Sequence, residues 1–171
     1  MHDWIRGEAE FSACRRYRWT LTRILREGDD RTMAIIGLNP STATATRDDP
    51  TVRRCIRFAI REGFGRFVML NAFGYRSTDP AGLRAVRDPV GAGNDGAIAR
   101  AVGAADLTVF AWGTHAALLD RHEAILQLVG PRHCFGVTKE GFPRHPLYLR
   151  RDVEIVPYAE ALAGRGGVVA S

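Results

Sequence analysis

Residues 33–43 have the sequence MAIIGLNPSTA, in which a short apolar run leads directly into a turn. An apolar run of this length, bounded by turn residues, is typical of a strand that is buried on both faces of a parallel sheet. The residues that follow, Asn39-Pro40-Ser41, would then lie at the carboxyl end of the strand, where open α/β sheets bind their ligands. This stretch therefore predicts the class of fold and the position of a site.

The same pattern recurs along the chain. Apolar runs bounded by turn residues predict further strands at 67–71, 107–111 and 133–137, and residues 152–156 are a candidate fifth strand. The segments between them have helical periodicity. We expect helices over 51–63, over 94–104 behind an Asn94 cap, and over 115–128 behind Thr114.

Alternating strands and helices predict a three-layer α/β/α sandwich with a mainly parallel central sheet of four to five strands. At 171 residues and 18.9 kDa, with no linker or repeat, the chain is expected to form a single domain over 1–171. The alternation of Tyr17, Trp19 and Leu21 predicts that residues 1–31 form an N-terminal arm, an edge strand or hairpin, packed on the main body.

The net charge is +5, and every basic residue except Lys139 is arginine. Arginine matches phosphate geometry, so nucleic acid is a natural partner, although a GC-rich genome would favour the same composition. No apolar run reaches the roughly 18 residues of a membrane helix, and the N-terminus resembles no signal peptide, so we expect a cytoplasmic protein without a membrane partner. The cysteines form no CxxC pair, and Gly91–Gly96 spell G-x-G-x-x-G without a preceding buried strand, so neither a metal nor a cofactor is expected.

A polar or aromatic residue lies at the end of each of the four predicted strands or in the segment that follows it. These residues are Asn39, Asn71, Trp112 and His145. Taken singly, each is better explained by a structural role: a turn for Asn39 and Trp112, a strand-end cap for Asn71 and a surface position for His145. Together they would lie on one edge of the sheet, so we expect Asn39, Asn71 and His145 to line one cleft.

The order G-x-[DN]-P, then L-N and W-G at strand ends, then H-P before a leucine, resembles the uracil-DNA glycosylase superfamily. The segments GLNPSTA, DPT and GFPRHPL also resemble a bacterial family catalogued as a domain of unknown function. The glycosylase resemblance implies a monomeric DNA repair enzyme that hydrolyses the N-glycosidic bond of uracil in DNA, with related damaged bases as further candidates. It also implies the glycosylase fold and a base that is turned out of the stack.

The resemblance implies a role for each matching residue. Asn39 holds the position of the aspartate that orients water, and His145 that of the histidine that donates to the base oxygen. The implied base-binding residues are Gly37, Leu38, Ser41, Asn71 and Phe73. Ser41 replaces a tyrosine that blocks the thymine methyl group, which leaves the exclusion of thymine open. Tyr75 is the alternative to Phe73 as the stacking aromatic.

The residues after His145 predict a DNA-binding edge. Leu147, Tyr148 and Leu149 are expected to be an exposed apolar wedge among arginines, although Leu147 and Leu149 could instead face the core. The predicted DNA-binding residues are Arg144, Leu147, Tyr148, Arg54 and Arg76. Asp48 and Asp49 most simply start a helix, and alternatively supply a carboxylate near the sugar.

Two other functions remain open from the sequence. Asn39 cannot act as a base, so the chain could be a module that binds a flipped base or an abasic site without hydrolysis. The same cleft could also serve a hydrolase of free nucleosides or nucleotides.

Overall fold

The computed structural model describes residues 2–165, so Met1 and residues 166–171 of the predicted domain lie outside the described residues. These residues form a mixed α/β fold with one seven-stranded sheet in the order β1-β2-β4-β3-β5-β6-β7. The strands are β1 (Arg6–Phe11), β2 (Arg18–Ile24), β3 (Thr32–Gly37), β4 (Arg66–Asn71), β5 (Leu107–Phe110), β6 (His133–Cys134) and β7 (Val156–Pro157). The α-helices are α1 (Pro50–Arg61), α2 (Asn94–Ala104), α3 (Arg121–Val129) and α4 (Tyr158–Arg165).

Four neighbouring strands, β4, β3, β5 and β6, run parallel, as the four apolar runs predict. The central strand β3 is buried at every position. The sheet is larger and less parallel than predicted, because β1, β2 and β7 join it through antiparallel pairs. Strand β6 is shorter than the predicted 133–137, and the last strand is Val156–Pro157 rather than 152–156.

Helices pack on both faces of the sheet. Alternate residues of β3 point to opposite sides: Met33 and Ile35 pack in the cluster that contains the apolar face of α1. Ala34 and Ile36 pack with apolar residues of α2, α3 and α4. Within residues 2–165, none of the helices combines the length and the hydrophobicity that a membrane span requires.

The predicted bounds of α2 are confirmed but its predicted cap is wrong, and the predicted start of the next helix is also wrong. Helix α2 begins at Asn94, but Gly93 holds the cap position, and the buried Asn94 amide instead donates to the carbonyls of Asn71 (3.0 Å) and Ala72 (3.2 Å). Thr114 begins a 3₁₀ helix over Thr114–Asp120, and α3 starts only at Arg121. The break arises because Leu119 and Asp120 adopt left-handed backbone conformations, with φ of 55° and 50°.

The N-terminal arm, which was predicted to be an edge strand or a hairpin packed on the main body, is a hairpin. Its two strands belong to the central sheet itself. β1 and β2 pair with each other, and β2 also pairs with β4. The guanidinium of Arg23 on β2 is fully buried and donates to the carbonyls of Thr44 and Arg47 and to the carboxylate of Asp48. The hairpin therefore holds in place the loop that leads into α1.

Candidate functional site

A cavity of about 750 Å³ opens at the carboxyl ends of β3, β4 and β5 and extends to the segment after β6. The carboxyl ends of parallel strands lie on one edge of a sheet, which is why residues far apart in sequence meet here. The predicted residues that line it are Leu38, Asn39, Ser41, Asn71, Arg144, His145, Leu147 and Tyr148. The expectation that Asn39, Asn71 and His145 share one cleft is therefore met by the geometry.

Asn39 lies in the turn after β3 and presents an acceptor. Its Nδ2 donates to the carbonyls of Pro40 (3.1 Å) and Ser77 (2.8 Å). Because a carbonyl oxygen cannot donate, these contacts fix which end of the amide is nitrogen. Both N–H groups are then used, so Oδ1 is the atom that Asn39 can offer to a ligand or a water molecule.

Asn71, the last residue of β4, has the opposite polarity. Its side chain is 2% exposed, and its Oδ1 accepts a hydrogen bond from Nη2 of Arg18 at 3.1 Å. Arginine only donates, so Nδ2 is the free donor of the Asn71 amide. A Cβ on Gly37 would lie 3.3 Å from this Nδ2, so the glycine at the end of β3 leaves room for the amide.

Arg18 itself is buried and lines the cavity. It reaches the site because β2 runs antiparallel to β4, so that the first residue of β2 lies where β4 ends. Burial lowers the pKa of Arg18 to about 10, against the opposing effect of the Asp49 charge. The guanidinium therefore remains a cation at neutral pH and keeps donating to Asn71.

His145 presents a second donor. The residue is extended before Pro146 and caps the 3₁₀ helix Pro146–Tyr148, because its Nδ1 accepts from the Leu147 backbone N–H at 3.3 Å. An accepting Nδ1 carries no proton, so the neutral ring is protonated at Nε2. Burial lowers the pKa of His145, which keeps the imidazole neutral in neutral solution.

The family comparison covers this site. A family model described as a protein of unknown function (DUF1643) matches residues 18–147. The chain belongs to the DUF1643 family. The matched span of this family begins at Arg18 and ends at Leu147, both of which line the cavity. No curated protein and no solved structure matches the chain.

Within the DUF1643 span, several predicted site residues lie outside the cavity. Phe73 is 0% exposed and packs in the core on the α2 side of the sheet, so the prediction that it stacks on a base is wrong. Its alternative, Tyr75, packs edge-on against Tyr17 at 5.7 Å. Gly37 contributes only the space beside Asn71.

Two predicted DNA-binding arginines also lie outside the cavity lining. The guanidinium of Arg54 lies over the Phe58 ring at 5.3 Å. Arg76 donates to the Arg15 carbonyl at 3.2 Å and lies over the Phe11 ring, which ties it to the hairpin. Both arginines are half-buried, and their contact with DNA phosphates stays a prediction.

Leu149 is also placed differently from the prediction. It is buried, whereas Leu147 is half-buried and Tyr148 is 87% exposed. The prediction of an exposed three-residue wedge is therefore wrong for Leu149, which packs in the core on the α1 side. The exposed part of the wedge is reduced to Tyr148, with Leu147 beside it.

The cavity is lined by Arg18, which the sequence did not assign to the site, and by Trp112 and Asp49, which the sequence offered only as a strand-end aromatic residue and as an alternative carboxylate. The role of Arg18 could not be predicted, because in the sequence it is one of several arginines within a strand-like alternation. Trp112, at the end of β5, is fully buried, and its indole N–H has no hydrogen-bond partner within residues 2–165. Asp49 lines the cavity, while Asp48 turns away to Arg23, which separates the two carboxylates that the sequence left equivalent.

Across the described part of the chain, no three His, Cys, Asp or Glu side chains come together as a metal site. The polar groups that line the cavity include the free donors of Asn71 and His145, the acceptor of Asn39 and the carboxylate of Asp49. This set can bind a planar ligand that carries carbonyl oxygens on its edge.

Proposed function

We propose that this protein is a DNA glycosylase that hydrolyses the N-glycosidic bond of uracil in DNA. The observation that carries the proposal is the convergence of Asn39, Asn71 and His145 on one cavity with complementary hydrogen-bonding polarity. A mixed sheet with helices on both faces is compatible with the glycosylase-like fold that the motifs resemble. A volume of about 750 Å³ accommodates a base and its sugar.

Asn71 is the proposed reader of the base edge. Its free Nδ2 donates to O4 of uracil, and the second lone pair of Oδ1, beside the Arg18 contact, accepts from N3–H. Cytosine carries an amino group at the position of O4 and no proton on N3. The Asn71 Nδ2 donor would then face the amino group, which is also a donor, and the Oδ1 acceptor would face N3, which is also an acceptor. Arg18 thus acts as a positioning residue that selects for a carbonyl.

His145 is the proposed donor to the leaving base. When the bond between C1′ and N1 breaks, its electron pair stays on the base, and negative charge spreads to the base oxygens. The Nε2–H of the neutral imidazole donates a hydrogen bond to such an oxygen and thereby stabilises the charge. The Oδ1 of Asn39 would hold the attacking water, since its amide nitrogen is already engaged.

The surface beside the cavity supports a DNA substrate. Arg144 and Tyr148 are exposed and line the cavity mouth, and Leu147 lies between His145 and Tyr148. An arginine that can hold a phosphate beside an exposed aromatic side chain is what base extrusion requires. We therefore assign the wedge to Tyr148, with Leu147 as its support.

We expect Tyr148→Ala to lower excision from double-stranded DNA by roughly tenfold, because stacking on an aromatic side chain contributes roughly 1–3 kcal/mol. Single-stranded substrates need little unstacking and should be affected less. Single-turnover rates on paired and unpaired uracil oligonucleotides measure the difference. Leu147→Ala is the matched variant, and its smaller effect should have the same substrate bias. Equal losses on both substrates, with a lower melting temperature, would mean that these side chains only support the fold.

The release of free uracil from a labelled oligonucleotide tests the proposed function itself. Thymine mismatches and hypoxanthine belong in the same assay, because Ser41 leaves the space beside C5 of the base without a tyrosine. Tight binding of uracil or abasic DNA without release would favour a non-catalytic recognition module. Cleavage of free nucleosides that oligonucleotides do not inhibit would favour a small-molecule hydrolase.

A further inference from the structure

Asp49 places a carboxylate in the wall of the cavity. The residue precedes α1 and caps it, with Oδ1 accepting from the Val52 backbone N–H at 2.8 Å. It is 7% exposed and is the only acidic side chain among the described residues that line the cavity. Its second oxygen, Oδ2, accepts no hydrogen bond from residues 2–165.

Capping explains only one of the two oxygens. An uncharged asparagine, serine or threonine caps a helix as well as aspartate does. A buried carboxylate is costly unless it is paired, yet Asp49 has no ion-pair partner within 4.0 Å in the described part of the chain. The neighbouring Asp48 shows the contrast, because Arg23 donates to it at 2.7 Å and Trp4 at 2.7 Å.

The charge of Asp49 acts on the other groups of the cavity. It opposes the lowering of the pKa of both Arg18 and His145 by burial. The carboxylate therefore acts on the guanidinium that fixes Asn71 and on the imidazole of His145. Asn39 cannot take a proton, whereas the carboxylate of Asp49 can.

We propose that Asp49 is the general base of the site, an inference that rests on the proposed glycosylase activity. Its carboxylate stabilises positive charge on the sugar while the bond between C1′ and N1 breaks and the electron pair leaves with the base. The water that Asn39 holds then forms the new bond to C1′ and gives one proton to Oδ2 of Asp49. That proton passes to the uracil anion, directly or by way of solvent, which restores the carboxylate and releases neutral uracil.

Asp49→Asn separates the two roles of the residue, because the amide oxygen can still cap α1 while the charge and basicity are lost. We expect the single-turnover rate of uracil excision to fall by roughly 10²–10⁴, the usual contribution of a general base. The melting temperature should stay that of the wild type. Binding of a uracil oligonucleotide should be unchanged or tighter, because a negative charge near the phosphates has been removed.

Asp79→Asn is the matched control. Asp79 also precedes a proline and caps a short helix, with its side chain accepting from the Ala81 backbone N–H at 2.9 Å, but it does not line the cavity. We expect this variant to excise uracil at the wild-type rate. Equal rates for Asp49→Asn and the wild type would overturn the role of Asp49, as would a rate loss that merely follows a lower melting temperature. No uracil release by the wild type would instead overturn the proposed function.

Discussion

Replacing Asn71 by aspartate is expected to lower uracil excision by roughly 10²–10³, the usual effect of removing one donor to a developing anion. The carboxylate has no N–H to offer to O4 of uracil, and it places a negative charge beside an oxygen that gains negative charge. Arg18 already donates to this position at 3.1 Å, so the new carboxylate would form an ion pair and the fold should survive.

Specificity distinguishes this effect from a general loss of activity. The two acceptors of an aspartate match the amino group of cytosine better than the carbonyl of uracil. The ratio of cytosine to uracil excision should therefore rise in Asn71→Asp, even where both rates are low. Single-turnover rates on otherwise identical oligonucleotides measure that ratio. If uracil excision is unaltered, Asn71 does not read the base.

Replacing His145 by alanine is expected to lower the rate of the chemical step by roughly 10² or more, because it removes the other donor to the departing base. Binding of the uracil oligonucleotide should change little, since the donor matters most when the charge has developed. His145→Gln keeps a neutral N–H donor in about the same place and should recover part of the rate. A wild-type rate in His145→Ala would contradict the assignment.

The protonation state of His145 is testable separately. Because burial lowers its pKa, the ring should have a titration midpoint below that of an ordinary histidine. Nuclear magnetic resonance titration of the ring protons measures this midpoint directly. We expect excision to be insensitive to the protonation of His145 between about pH 6.5, the ordinary pKa of histidine, and pH 8. A midpoint above the ordinary value would mean that a cation rather than a neutral donor faces the cavity.

Much of the site could be predicted because it follows from local patterns. Short apolar runs predicted the four parallel strands, and the residues after them meet because those strands share a carboxyl edge. Phe73 shows where such reasoning fails. It lies only two residues after Asn71, but the chain beyond β4 continues to pair with the segment after β3 and turns this ring into the core. Sequence spacing does not tell to which side a residue beyond a strand end will point.

The α/β class, the parallel strands and the shared edge of Asn39, Asn71 and His145 follow from the sequence alone, because apolar periodicity and the alternation of strands with helices can be read along the chain. The tertiary structure is needed to show that Arg18, 53 residues before Asn71, fixes the polarity of that amide. It also shows that Asp49 rather than Asp48 lines the cavity, because the buried Arg23 of the hairpin forms an ion pair with Asp48. These choices depend on contacts between segments that are distant along the chain, and such contacts leave no periodic pattern in the sequence.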